Sequence, residues 1–451
     1  MPDLDAIFKA YDIRGTTPDQ LDADVARALG GAFAVFVTGQ TGGARRVLVA
    51  RDMRPSGVEL AAAFADGVRA QGLDVVDLGL ASTDLVYFAA GHLDAPAAMF
   101  TASHNPAQYN GVKLCLGGAR PVGEDSGLAE IKAMVADGVP PAASLAGGYE
   151  TLDLLRAFAA HVRSFVDVTA LRPLSVVADT ANGMGGLVVP AVFEGLPVDL
   201  DILYGELDGT FPNHPADPIQ AENLRDLQAR VLEVGADVGL AFDGDADRVF
   251  LVDELGEPIS GSTTTAIVAA GVLEKQPGAT ILHNCICSKA VPEVVRERGG
   301  RPVRTKVGHS FIKAVMADTG AAFGGEHSAH YYFRDNWRAD SGSIAALMVL
   351  EQLSKAGVPL SELRAPFDRY AASGEINSRV PDPAAVIDRV AAAFPPDAQD
   401  RLDGLTVDLG EWWFNLRASN TEPLLRLNLE APDAAMCAEK VAEVQALIDA
   451  G

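Results

Sequence analysis

Apolar runs rich in β-branched residues alternate with alanine-rich amphipathic stretches along about the first 370 residues, the pattern of layered α/β domains. Strands are expected at residues 46–50, 74–78, 98–101, 174–178, 237–242, 280–283 and 302–305. Helices are expected between them, for example at 58–70, 221–234 and 344–353. A Pro/Gly/Ala segment from Gly138 to Gly148 reads as a first linker, with further breaks near Gly256–Gly261 and at Ser373-Gly374. After the last break, strands are expected at 407–408, 412–416 and 425–429, ahead of a closing helix. The expected fold is α/β: three consecutive α/β domains with mixed sheets over 1–145, 146–255 and 256–370. A smaller α+β domain follows over 371–451.

Each expected domain contributes one polar, glycine- or proline-punctuated loop just after an apolar strand. These are Thr101-Ala102-Ser103-His104-Asn105-Pro106, Asp243-Gly244-Asp245-Ala246-Asp247-Arg248, Gly325-Glu326-His327-Ser328-Ala329-His330 and Arg417-Ala418-Ser419-Asn420-Thr421-Glu422-Pro423. Ligand crevices of open α/β sheets lie beyond the carboxyl ends of the strands, so the four loops are expected to converge on one cleft.

The aspartate loop carries the sharpest chemistry. In an extended segment Asp243, Asp245 and Asp247 would share one side, since strand periodicity is two. Their mutual repulsion calls for a cation, and three carboxylates suit Mg²⁺. A calcium hand needs a twelve-residue loop ending in glutamate, whereas here Arg248 and the run Val249–Val252 follow at once. A solvated acidic turn is the plain alternative, and the apolar flanks weigh against it. Beside such a cation Ser103 can carry and pass on a phosphoryl group; alone, a serine in this setting is more often a turn residue. Lys113 returns toward the same loop through the tight turn Tyr109-Asn110-Gly111, placed to orient or deprotonate a receiving hydroxyl. Glu326 is an acceptor suited to adjacent sugar hydroxyls. Arg417 with Ser419, Asn420 and Thr421 makes a phosphate cradle or a capped turn.

Composition narrows the field. A net charge of −25 over 451 residues argues against nucleic acid and anionic membranes as partners. The four cysteines are too few and scattered for a disulfide framework, and read as reduced thiols. No signal-peptide core and no spanning apolar run is evident, so a soluble, cytoplasmic protein is expected. Asn182-Gly183-Met184-Gly185-Gly186 lacks the third glycine of a dinucleotide fingerprint. Ser310-Phe311-Ile312-Lys313 lacks the companion motifs of penicillin-binding enzymes, and no P-loop is present.

Together with Phe8-Lys9-Ala10-Tyr11-Asp12-Ile13-Arg14-Gly15, the four loops in order closely resemble the α-D-phosphohexomutase family of phosphomannomutases and phosphoglucomutases. The resemblance implies four domains around a central cleft and one Mg²⁺ per chain. It makes Ser103 the phosphoserine, binding the ion with Asp243, Asp245 and Asp247, and puts Arg248 near that phosphate. Glu326 and Ser328 are implied as readers of sugar hydroxyls, and Arg417, Ser419, Asn420 and Thr421 as the holders of the substrate phosphate. Tyr11, Arg14, Lys113 and His309 match further active-site positions, with Lys113 and His309 as candidates for proton transfer, and His330 of the Glu326 loop is a further substrate-binding candidate. The implied reaction interconverts mannose 1-phosphate and mannose 6-phosphate through a hexose 1,6-bisphosphate, which also serves as activator, in a monomer or weak homodimer.

One departure stands out: members often carry a basic residue where this chain reads His283-Asn284-Cys285-Ile286-Cys287-Ser288. The segment Ser328–Asp335 looks more like bacterial phosphomannomutases than phosphoglucosamine mutases. Competing readings are a phosphoglucomutase or dual-specificity enzyme, a Mg²⁺-dependent sugar phosphatase, and a non-catalytic phosphosugar-binding protein.

Overall fold

Strands that are apolar at every position are stable only when both faces are covered, and Val238–Phe242 is buried throughout its length. The computed structural model describes residues 3–40, 43–141, 145–418 and 424–450. They form two compact units, Met1–Ile259 with His330–Ser361, and Ser260–Ala329 with Glu362–Gly451.

The first unit holds two mixed sheets. In one, β1 (Ile13–Thr16), β2 (Arg46–Arg51), β3 (Asp74–Leu80), β4 (Ala97–Phe100), β5 (Tyr109–Leu116), β6 (Arg120–Pro121) and β7 (Tyr149–Thr151) are ordered β1-β5-β4-β2-β3-β7, with β6 on β5. The second comprises β8 (Leu174–Asp179), β9 (Val198–Leu203), β10 (Val238–Phe242), β11 (Val249–Asp253) and β12 (Pro258–Ile259), ordered β12-β11-β10-β8-β9. β4 runs parallel to β2 and antiparallel to β5. β10 runs parallel to β8 and antiparallel to β11. The Ser103 loop and the aspartate loop therefore occupy equivalent places, at the carboxyl end of the strand where each sheet reverses direction.

Two helix starts are tied together behind these loops. Ser82 caps the helix Thr83–His92 and Ser341 caps Gly342–Ala356. Both hydroxyls donate to the buried Asp84, that of Ser341 at 2.7 Å, while burial pushes this carboxyl up to about 7.

In the second unit β13 (Thr280–Asn284), β14 (Arg301–Thr305) and β15 (Phe323–Gly325) are parallel, ordered β14-β13-β15. A separate antiparallel sheet runs Ala371–Arg379, Leu424–Ala431, Trp413–Ala418, Leu405–Asp408, Gln399–Asp400. The helices Pro383–Ala392 and Ala434–Asp449 contribute Val390 and Val444 to its core with Phe414 and Leu427.

The expected break near Ser373-Gly374 falls at a β-bulge inside strand Ala371–Arg379: Gly374 takes φ +68° and the Ser373 hydroxyl accepts from Leu429 N. Two sequence expectations need correction. The helix expected from 221 starts as a 3₁₀ turn, Ala221–Leu224, and becomes α-helical over Arg225–Val234. Residues 243–247 are a tight turn and not an extended segment: Ala246 N bonds Asp243 O, and Ala246 sits at φ +59°. The carboxylates converge because the chain curls around them. In addition, residues 149–151, which the sequence assigns to the second domain without a strand, form β7 at the edge of the first sheet, and residues 330–361 group with the first unit.

Helices Ala23–Gly39 and Ser56–Ala70 cross where glycines remove side chains. A Cβ on Gly30 would lie 2.0 Å from Phe64 O, and one on Gly67 would lie 2.0 Å from Arg27 O. Gly67→Ala is expected to lower unfolding free energy by about 1–3 kcal/mol through overpacking, read from denaturant unfolding. An unchanged midpoint would show that the helices separate freely.

Candidate active site

Ser103 follows the wholly buried β4 and is itself buried, at φ +49°, a left-handed conformation that costs a non-glycine residue about 1–3 kcal/mol. Its hydroxyl donates to Asp243 Oδ2 at 2.8 Å, with His104 Nδ1 3.2 Å away. The aspartate loop comes this close because residue 244 is glycine: a Cβ there would lie 2.4 Å from Ser103 O.

Asp243 is gripped by Arg248, whose backbone N reaches Oδ1 at 3.2 Å and whose Nε reaches Oδ2 at 3.0 Å. The same guanidinium donates to His104 Nδ1 at 2.7 Å. Burial and this cation hold the His104 imidazole well below its ordinary value, so it is a neutral acceptor. Lys113, on β5, donates to Asp245 Oδ2 at 2.7 Å and Asp247 Oδ2 at 2.8 Å. Burial alone would lower its ammonium, but Asp245 and Asp247 outweigh burial and hold it well above its ordinary value. Lys113 thus orients both carboxylates as a donor. Burial likewise raises Asp243, whereas Lys113 outweighs burial at Asp245 and draws it far down.

Arg14 donates to Asn105 Oδ1 and to Asp12 Oδ2, each at 2.5 Å, joining β1 to the Ser103 loop. Tyr11 is half-buried in the turn closed by the Phe8–Ile13 bridge. His330 lies beside the aspartates, its Nδ1 2.8 Å from Asp340 Oδ2 and 3.9 Å from Asp247 Oδ1. Burial would lower its imidazole, but Asp340 and Asp247 raise it.

The residues present fit a hard divalent cation. Ligand oxygens of Asp243, Asp245 and Asp247 lie within 4.8 Å of one another. Asp245 Oδ1 and Asp247 Oδ1 are buried without a hydrogen-bond partner among the described residues. Three carboxylates face the charges of Lys113 and Arg248, and oxygen donors suit Mg²⁺. Such a site beside a serine hydroxyl can hold and pass on a phosphoryl group.

In the second unit Glu326 is buried at the carboxyl end of β15. Its Oε1 accepts from Gly308 N at 3.0 Å and Asn284 Nδ2 at 3.1 Å. Ser328 is half-buried in the following turn, where Ala329 takes φ +64°. Arg417, nearly buried on its strand, donates to Glu375 Oε2 at 3.4 Å. Ser419, Asn420 and Thr421 lie outside the described residues, as does the side chain of His309, whose backbone opens the helix His309–Thr319. Beside the segment around Ile286, Arg304 pairs in register with His283 on the neighbouring strand. Lys289 Nζ bonds Asp408 at 2.6 Å and Gly410 O at 2.9 Å, and burial lowers His283 to about 4, leaving it neutral.

All four domain models of one family match in order. They are phosphoglucomutase/phosphomannomutase alpha/beta/alpha domain I over residues 5–139, domain II over 156–256, domain III over 260–370 and the C-terminal domain over 375–447. The chain belongs to the phosphoglucomutase/phosphomannomutase family. Among its relatives, a phosphomannomutase of Salmonella montevideo is 42% identical over 435 residues, 94% of each chain. A protein of Xanthomonas campestris named for phosphohexose mutases is 41% identical over 98% of both. The crystal structure of a Burkholderia thailandensis member of this family superposes with a TM-score of 0.90 at 35% identity, covering 100% of this chain and 98% of that one.

Sequence reasoning gave no role to residues that hold the candidate side chains in place: Thr83, His104, Asn105, Asn284 and Asp340. Thr83 is the clearest. Its hydroxyl donates to Asp245 Oδ2 at 2.6 Å and its N bonds Asp245 O at 3.0 Å. A threonine opening a helix after a strand was the available signal, and it is a common cap. Thr83→Val is expected to weaken Mg²⁺ binding about tenfold, since partners of metal ligands typically carry 10- to 100-fold in affinity. Calorimetric titration with Mg²⁺ checks this, and unchanged affinity would make Thr83 a packing residue.

Proposed function

We propose that this chain is a Mg²⁺-dependent phosphomannomutase, interconverting mannose 1-phosphate and mannose 6-phosphate through a phosphorylated Ser103. The observation that carries the reading is the Ser103 hydroxyl bonded at 2.8 Å to a buried, cation-competent aspartate triad. The name of the Salmonella montevideo relative supports mannose as the sugar.

Ser103, Asp243, Asp245 and Asp247 hold the ion. When bound, it neutralises charge on the phosphoryl group. Phosphorylated Ser103 gives its phosphoryl to the free hydroxyl of the hexose monophosphate: a bond forms to the sugar oxygen, the Oγ–P bond breaks with its electron pair going to Oγ, His309 takes the hydroxyl proton, and Oγ is protonated in its place. Arg14, Arg248 and Lys113 supply fixed positive charge against the transferring group. Glu326, Ser328, His330 and Tyr11 orient the sugar. Arg417, Ser419, Asn420 and Thr421 hold the phosphate that does not react. The hexose 1,6-bisphosphate then turns over, and its other phosphoryl returns to Ser103. The same bisphosphate, added free, rephosphorylates enzyme that has lost its phosphate.

Ser103→Ala is expected to lower turnover at least about a thousandfold, because the acceptor oxygen is gone. Undiminished turnover would exclude Ser103. ³¹P NMR of an equal mixture of mannose 1-phosphate and glucose 1-phosphate, with Mg²⁺ and trace glucose 1,6-bisphosphate, tests the sugar. The mannose signal should move first to its 6-phosphate without free phosphate. Equal or faster loss of glucose 1-phosphate would make the enzyme a dual or glucose mutase, and stoichiometric free phosphate would make it a phosphatase.

A further inference from the structure

The Ser103 loop is held from below by a residue that the chemistry above does not use. Arg54 is wholly buried, just past β2. All five of its guanidinium N–H groups have acceptors in a single set. NH2 donates to Ser103 O at 2.8 Å and Asn105 O at 2.6 Å. NH1 donates to Pro106 O at 2.8 Å and Tyr109 O at 3.0 Å. Nε donates to Asp52 Oδ2 at 3.2 Å. Asp52 Oδ1 in turn takes Arg54 N at 2.9 Å, and its carboxylate accepts from the Thr101 hydroxyl. Thr101 Oγ1 accepts Ser103 N at 2.9 Å. Both backbone polar groups of Ser103 therefore lead back to one buried ion pair.

Stability alone does not explain this arrangement. A buried ion pair contributes little net stability compared with an apolar pair of the same volume. What a guanidinium uniquely supplies is a rigid planar fork, here matched to four carbonyl oxygens between residues 103 and 109. A lysine offers three donors and cannot reproduce that set. The carbonyl of Ser103 is also the atom against which Gly244 rests, so its place fixes the spacing between the serine and the aspartate loop. The left-handed φ of Ser103 aims the hydroxyl at Asp243, and it persists because its N and O are both restrained.

We propose that Arg54, with Asp52 and Thr101, is the positioning device of the nucleophile: it fixes the Ser103 backbone so that Oγ meets the metal loop at bonding distance in both halves of the reaction. This rests on Ser103 being the phosphorylated residue. Arg54 touches neither the phosphoryl group nor the sugar, so its loss should reduce kcat and leave sugar binding alone.

The test compares the full-length wild type, Arg54→Lys and Thr101→Val, each checked for folding by circular dichroism and thermal unfolding. Turnover of mannose 1-phosphate, its KM, and the partition of Ser103-bound phosphate between sugar and water are measured. Misplacement of reacting atoms by about 1 Å costs about 100-fold, so folded Arg54→Lys should lose about that factor in kcat, with KM within about threefold. Its phosphoenzyme should lose a larger share to water. Thr101→Val should lose about tenfold in kcat on the same pattern. Wild-type kcat and partition in folded Arg54→Lys, or a rise in KM that accounts for the whole loss, would overturn the proposal. If Arg54→Lys does not fold, Thr101→Val decides, and an unchanged kcat there overturns it. An inactive wild type, or an active Ser103→Ala, would instead refute the underlying reading and the proposal with it.

Discussion

Three aspartates buried within one short turn are the constraint on which the first unit depends. Each would be expensive to bury as an anion without partners. The chain answers with Lys113, which crosses from the first sheet to Asp245 and Asp247, and Arg248, which pairs with Asp243 and reaches His104 of the first sheet's loop. The pairing is deliberately incomplete in geometry: each of Asp245 and Asp247 keeps one oxygen bonded to Lys113 and turns the other toward a place where a cation fits. Removing either cation would leave an uncompensated buried charge, which is far worse than never having had the pair.

The fold puts these groups together by repeating one device. In both sheets of the first unit a parallel strand meets an antiparallel neighbour, and the connecting turn at that junction carries the chemistry. A parallel strand hands its chain on beyond the carboxyl edge, where backbone groups are not engaged in the ladder and side chains can gather. The antiparallel return from the Ser103 turn carries Lys113, which reaches across to the aspartate turn, and Arg248 stands where the aspartate turn enters its own return strand. Glycine completes the device, since Gly244 lets one turn touch the other without a side chain between them.

In the second unit the carboxylate of Glu326 is oriented by a backbone N–H and the amide of Asn284, which both donate to Oε1. Near Ile286, Asn284 is a donor to that carboxylate. Lys289 is engaged instead in joining β13's exit to the hairpin around Asp408.

Sequence alone determined the α/β class, the aspartate triad, the nucleophile candidate and the order of the loops. Those features are written in residue types at short spacing, and side-chain chemistry survives without knowledge of distance. Tertiary structure decided what holds them. Thr83 and Arg54 are 162 and 49 residues distant in sequence from Asp245 and Ser103, and no local pattern links such pairs. The curl of residues 243–247 was likewise invisible, because an extended segment and a turn with a left-handed alanine place the same carboxylates near one another. The Ser373-Gly374 break became a bulge for the same reason: glycine permits either, and pairing with Leu424–Ala431 made the choice. Residue identity fixes which groups can do chemistry, while the long-range hydrogen bonds that aim them exist only once the chain has folded.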